Sequence, residues 1–189
     1  MTGRPQRLLK LCALSVCAAL ATACGQELPQ RFQAPDITGH LPDLHFSLRN
    51  DLGGPVTESD YRGDTVLLYF GYTGCGTQCP LTLARLAHLS KDERHMRVLF
   101  VTVTPVLDRP DVLHAYLGNY GSGLVGLTGS DSDIDALARR YRAALPIGSG
   151  PDLPHSNLVY VFDKAGRARL LVRPTESDQA IRRDLELIQ

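Results

Sequence analysis

Two cysteines stand where a buried-strand pattern ends and a helix pattern begins, and few folds accommodate that order of events. The apolar run Val66 to Phe70 leads into Gly71-Tyr72-Thr73-Gly74, then Cys75 and Cys79 with three residues between them, and a helical pattern opens at Pro80. A strand raises the pair on a rigid support, and Pro80 suits the first helical position. Cys79 is thereby placed where the unpaired N–H groups and dipole of a helix start favour negative charge, so its thiolate is expected to be stabilised. Two such thiolates ligate a soft metal or exchange with a disulfide, and an inert structural disulfide is the plain alternative.

The fate of the other cysteines follows from the N-terminus. Arg4, Arg7 and Lys10 precede an apolar run, Leu11 to Leu20, and then Ala21-Thr22-Ala23-Cys24. This is the layout of an export signal. Small residues before a cysteine resemble a bacterial lipobox, in which the cysteine is lipidated and begins the mature protein. Ala21 stands where Leu is commoner. Cleaved soluble export and an uncleaved membrane anchor are the other readings, the anchor weakened by the shortness of the run. On the lipoprotein reading Cys12 and Cys17 leave with the signal, Cys24 carries lipid, and Cys75 and Cys79 remain as an isolated pair. In an oxidising compartment such a pair normally forms a disulfide.

Length and charge narrow the classes further. At 189 residues the chain builds one well-buried domain rather than two of ordinary size. The net charge of zero conceals the basic tail: beyond residue 23, 17 basic residues face 20 acidic ones, a balance of −3. With no basic excess or stripe, nucleic acid is not an expected partner.

Along the chain, Gln26 to Thr38 lacks periodicity and is expected to be a tether, so the organisation is read as signal 1–24, tether 25–40 and folded domain 41–189. Alternation over Leu44–Leu48 and the turn signal Asn50–Gly54 before Val56 predict a hairpin. Strands are expected over Thr65–Phe70, Val98–Val103 and Asn157–Phe162, the last turning at Asp163–Gly166 into Arg167–Val172, with a short segment at Leu124–Leu127. Helices are expected over Pro80–Arg94, Pro110–Tyr120, Asp131–Ala143 capped by Ser130, and about Glu176–Ile188, with a Pro/Gly-rich loop over Pro146–Pro154. These elements make an α/β fold, a central mixed sheet flanked by helices, parallel at its crossovers and antiparallel at the closing hairpin, with an N-terminal β-hairpin extension.

The strand–Cys-turn–helix unit followed by β-α and then β-β-α looks like the thioredoxin fold, and the finer resemblance is to the Sco/SenC family of copper-handling proteins. The residues carrying it are Tyr61-Arg62-Gly63, Leu67 through Thr73, Cys75 with Cys79-Pro80, Asp108, Gly126-Leu127-Thr128-Gly129 and His155-Ser156, in family order over roughly Phe46 to Leu171. Gly74 stands where the family commonly has His or Asn, and Thr104 where it commonly has Asp; neither is a primary ligand in the family pattern. The resemblance implies a metal site made by Cys75, Cys79 and His155. It also implies copper as Cu(I) or Cu(II), delivery to the CuA-bearing subunit of a respiratory cytochrome c oxidase, and an upstream copper donor. With Cys24 lipidated, the expected location is the bacterial cell envelope, held to the membrane and facing the periplasm or cell exterior.

The chemistry of those residue types agrees with this. Soft sulfur selects Cu(I), and a nitrogen holds the ion through oxidation to Cu(II). Structural zinc normally wants a fourth ligand. Three ligands also leave an ion open to attack by a recipient. The competing reading is a thiol–disulfide oxidoreductase that reduces the cysteines of a copper-receiving target. Thioredoxin-type enzymes usually have two residues between the cysteines rather than three. A peroxidase would need an Arg beside its reactive cysteine, and none stands there. His40, His45, His88, His95 and His114 share no ligand spacing with the pair and read as surface or packing residues. Met96 reads as core, Phe70 and Tyr72 as walls of the site, and Asp108 either as the cap of the helix at Pro110 or as part of the site.

Overall fold

The described residues fold around one mixed sheet of seven strands, and the strand that delivers the cysteines lies inside it. A computed structural model describes residues 31–143 and 157–188; Cys24, His155 and the loop expected over Pro146–Pro154 lie outside them. Met1–Arg31 forms one unit, of which only Arg31 is described, and Phe32–Gln189 forms the other. Strands β1 (Ser47–Asn50) and β2 (Pro55–Thr57) are the expected hairpin. Then come β3 (Thr65–Gly71), α1 (Gln78–Ser90), β4 (Met96–Thr102), α2 (Pro110–Leu117), β5 (Leu124–Thr128) and α3 (Asp131–Arg140). Strands β6 (Val159–Phe162) and β7 (Ala168–Val172) and helix α4 (Asp178–Glu186) close the chain, with single 3-10 turns at Glu58–Tyr61 and Gly118–Tyr120.

The strand order is β2-β1-β5-β4-β3-β6-β7. Parallel pairing joins β3 to β4, from Thr65 opposite Met96 to Gly71 opposite Thr102, and β4 to β5. The pairs β3–β6, β6–β7, β1–β5 and β1–β2 are antiparallel. Every residue of β3 is buried, which is why its sequence is an unbroken apolar run rather than an alternating one. This is the α/β thioredoxin-like arrangement with a central mixed sheet, and the hairpin extends it beyond β5. Edge-on aromatic contacts fill the core, Phe70 against Tyr160 at 6.1 Å and Tyr141 against Phe162 at 5.4 Å between ring centroids.

Beyond β1 starting at Ser47 rather than Leu44 and α3 ending at Arg140 rather than Ala143, four details differ from the sequence expectation. Helix α1 opens at Gln78 with Thr77 in the cap position, so Pro80 is its third residue rather than its first. The N–H that proline lacks would be unpaired there in any case. The same helix stops at Ser90, because His95 must turn back to accept the Thr65 N–H at 2.8 Å and seat β4 beside β3. Arg109, not Asp108, takes the cap position of α2. Finally, from Phe32 on, the aperiodic segment expected as tether is docked. The Ile37 N–H donates to the Arg169 carbonyl at 2.9 Å, the Leu171 N–H to that of Pro35 at 3.0 Å, and the Gln33 and Ala34 N–H groups to the buried Asp184 carboxylate at 2.8–3.0 Å. Backbone pairing needs no side-chain period, and here it covers the outer edge of β7. Ser130 caps α3 as expected, with Asp133 returning the hydrogen bond to the Ser130 N–H. No helix among the described residues is long and apolar enough to cross a membrane.

Candidate metal centre

At the C-terminal end of β3 the chain leaves the sheet at Gly71, passes the buried Tyr72, and reaches Cys75 in the turn and Cys79 in the first turn of α1. Cys75 is 7% exposed and Cys79 0%. The two sulfurs are therefore unequal, one at the mouth and one behind it. Gly71 makes the inner position possible. A Cβ there would lie 2.9 Å from Cys79 Sγ and 2.6 Å from the Phe100 ring, so the sulfur rests where any other residue would place its side chain.

Hydrogen bonding sharpens the asymmetry. The Cys79 N–H, one of the unpaired amides of the helix start, donates to Cys75 Sγ at 3.3 Å, and the Cys75 N–H donates to the Tyr72 carbonyl at 3.2 Å. The helix start thus serves the sulfur of Cys75. Burial pushes the Cys79 thiol up to about 12, with the adjacent Cys75 adding to the rise. The expectation that the helix start stabilises a Cys79 thiolate is overturned, because desolvation on a fully buried sulfur outweighs the dipole. Cys79 is a neutral thiol at pH 7 unless a cation takes the place of its proton.

Two polar assemblies hold this turn. The first is Asp108, 1% exposed. Its carboxylate accepts from the Thr73 N–H at 3.0 Å, the Thr73 hydroxyl at 2.5 Å, the Thr102 hydroxyl at 2.6 Å and the Thr104 hydroxyl at 3.2 Å. It ties the Cys-bearing turn to the end of β4. Of the two roles open to it, Asp108 takes the one beside the site. The second assembly lies under Cys79. The Tyr69 hydroxyl is 3.4 Å from Cys79 Sγ and 2.8 Å from Asn157 Oδ1. The same oxygen accepts from Thr82 at 2.8 Å, and Asn157 Nδ2 donates to Gln78 Oε1 at 3.2 Å. Burial raises the Tyr69 phenol far above its ordinary range. Sequence reasoning missed this group; the one signal was a tyrosine within an otherwise apolar buried strand.

Tyr72 is buried beside the cysteines and Met96 is core, but Phe70, expected as a wall of the site, points to the sheet face opposite Tyr69 and packs on Tyr160. His45, His95 and His114 stand exposed beside Glu58, Asp64 and Asp51 at 3.2, 3.3 and 2.8 Å, and His40 and His88 are exposed too. Among the described residues no group of three or more His, Cys, Asp or Glu is placed to hold a metal. Cys75 and Cys79 are brought together, whereas His155, the ligand the family resemblance adds, and Cys24 lie outside the described residues. A surface cleft of about 480 Å³, lined by Arg49, Arg109, Ser130 and Asp133 among others, contains neither cysteine. The donor set itself suits a soft cation: two buried sulfurs, Cys79 fully shielded and Cys75 slightly exposed.

Comparison with known proteins places this arrangement. A model of the SCO1/SenC family matches residues 37–188. Protein SCO2, mitochondrial, of Saccharomyces cerevisiae is 31% identical over 133 residues, covering 65% of this chain and 44% of that protein. The mitochondrial Protein SCO1 homolog of Mus musculus is 36% identical over 132 residues, covering 64% and 46%. The chain thus spans about half the length of these curated relatives. Among solved structures, the crystal structure of Arabidopsis thaliana ScoI with copper bound is similar at a TM-score of 0.70 and 26% identity, over 77% of this chain and 98% of that one.

Proposed function

The chain belongs to the SCO1/SenC family, and from that premise we propose that it is a copper carrier that delivers the ion to the CuA centre of a respiratory cytochrome c oxidase. Copper is held by the Cys75 and Cys79 thiolates and the His155 imidazole. The observation that carries this reading is the unequal pair of sulfurs at the end of β3. Cys79 is buried and protonated at neutral pH, so a soft cation that displaces its proton gains a shielded thiolate. Binding releases the Cys79 proton, and affinity therefore rises with pH. Cys75 is the sulfur that an approaching donor or acceptor thiolate meets first, which suits stepwise ligand exchange. Three ligands leave the ion a free side for the recipient. Lipid on Cys24 would hold the domain at the envelope membrane, where an upstream donor supplies copper.

A second reading has its own support. An outer sulfur that accepts a helix N–H, with an inner sulfur behind it, is also the layout for attack on a target disulfide and resolution by the second thiol. His155 separates the two. In cells at limiting copper, His155→Ala is expected to impair oxidase assembly while the purified variant keeps dithiol exchange; normal assembly would reject the carrier. Copper titration of the reduced domain lacking residues 1–24 is expected to give one ion per chain, lost in Cys75→Ser and Cys79→Ser. Stoichiometric copper in the double variant would remove the site assignment. Intact mass of membrane-extracted protein tests Cys24, since a species starting at Met1 without acyl mass is incompatible with lipidation.

A further inference from the structure

Tyr69 has one hydroxyl proton and two acceptors within reach, Cys79 Sγ at 3.4 Å and Asn157 Oδ1 at 2.8 Å. Asn157 Oδ1 also accepts from Thr82 at 2.8 Å, so both of its lone pairs are engaged while Tyr69 donates to it. In that arrangement the Tyr69 oxygen faces Cys79 as an acceptor, suited to an S–H. Once Cys79 carries a metal in place of its proton, the sulfur has no hydrogen to give and becomes the better acceptor. Thr82 still satisfies Asn157 when the Tyr69 proton turns toward the sulfur. No buried polar group is stranded in either state.

We propose that Tyr69 is a positioning residue of the copper site. It donates its hydroxyl proton to the metal-bound Cys79 sulfur, with Asn157 and Thr82 as the partners that release that proton. The inference rests on the copper reading of Cys75 and Cys79. A hydrogen bond to a coordinating thiolate draws charge from the sulfur and weakens its donation to the metal, which tunes the potential and raises the energy of sulfur-to-Cu(II) charge transfer. Asn157 competes for the proton, so it sets how much of it the sulfur receives. Two positions after His155 and two before β6 begins, it is tied to Gln78, the first residue of α1.

The test uses the full-length chain loaded with Cu(II) and read by its visible charge-transfer band. Tyr69→Phe removes the hydroxyl alone and is expected to move the band to lower energy. Asn157→Ala frees the Tyr69 proton for the sulfur and is expected to move it the opposite way. A merely structural role gives no reason for opposite signs. Should Tyr69→Phe fail to fold, Thr82→Val takes its place. Loss of the Thr82 donor leaves Asn157 more dependent on Tyr69, and a smaller shift to lower energy is expected. A normal wild-type band that stays put in Tyr69→Phe, or shifts of equal sign in Tyr69→Phe and Asn157→Ala, overturn the role of Tyr69 and leave the copper site standing. A wild-type chain that takes up no copper overturns both.

Discussion

Replacing Gly71 by alanine tests whether the inner sulfur depends on the bare backbone beneath it. The added Cβ would stand 2.6 Å from Phe100 Cε2 and 2.9 Å from Cys79 Sγ. Comfortable carbon–carbon separation is about 3.5–4.0 Å, so the ring must retreat by roughly 1 Å and the sulfur by nearly as much. Phe100 has no free direction: it is fully buried, with the Tyr69 and Tyr116 rings each centred 6.0 Å away. Overpacking of this kind costs about 1–3 kcal/mol, offset by up to about 1 kcal/mol because alanine restricts the unfolded chain. A net loss of about 1–2 kcal/mol corresponds to a Tm drop of roughly 2–8 °C for a domain of this size. The sulfur should suffer more than the fold. Metal–ligand distances tolerate shifts of about 0.2 Å, and a displacement several times larger is expected to weaken copper binding about 10- to 100-fold, as loss of ligand support does elsewhere. Urea denaturation and competition with a Cu(I) chelator read the two effects separately. Phe100→Leu in the Gly71→Ala background should relieve the ring clash and recover stability without restoring affinity. Stability within about 0.5 kcal/mol of wild type together with unchanged copper affinity would refute the close-approach argument.

Asp108→Ala strips four donors of their buried acceptor and is expected to cost about 3 kcal/mol or more in urea unfolding, with faster thiol alkylation as the Cys turn loosens. Asp184→Ala should undock residues 32–37 and expose them to protease cleavage while the sheet persists, since it removes the acceptor of the Gln33 and Ala34 N–H groups. Asp163 supplies a pH dependence. Burial alone would raise its carboxyl, but the Arg167 N–H and the Arg167 and Arg169 guanidinium groups more than offset that and hold it below the ordinary value. A depressed folded-state value means its contribution is complete above the unfolded value of about 3.9 and fades as pH falls through the folded one. The urea midpoint difference between wild type and Asp163→Asn is therefore expected to be largest near pH 7 and to shrink below pH 4; a constant difference would count against it.

Element order was readable because it is written in local patterns. An unbroken apolar run, Val66 to Phe70, can only be an interior strand or a short buried helix, and the Gly-rich turn after it decides for the strand. Ser130 announces the start of a helix at Asp131. The docked segment from Phe32 was not readable, since its hydrogen bonds are made by backbone to residues such as Arg169 and Asp184, more than a hundred positions away.

The same division runs through the site. The sequence alone determined that two cysteines would stand together at a strand–helix junction, because strand, turn and helix signals are all contained between Val66 and Pro80. Which sulfur the helix start would serve was decided by tertiary structure. The helix start argues for Cys79, yet that sulfur is fully buried with the Tyr69 hydroxyl of β3 3.4 Å away, while the amide of Cys79 turns to Cys75. The role of Asp108 was settled in the same way by Thr73, 35 residues back, and the role of Tyr69 by Asn157, 88 residues on. Periodicity reports what a residue does within its own turn of helix or stretch of strand. Burial and hydrogen-bond partners depend on what the fold packs against it, and those neighbours come from elsewhere in the chain.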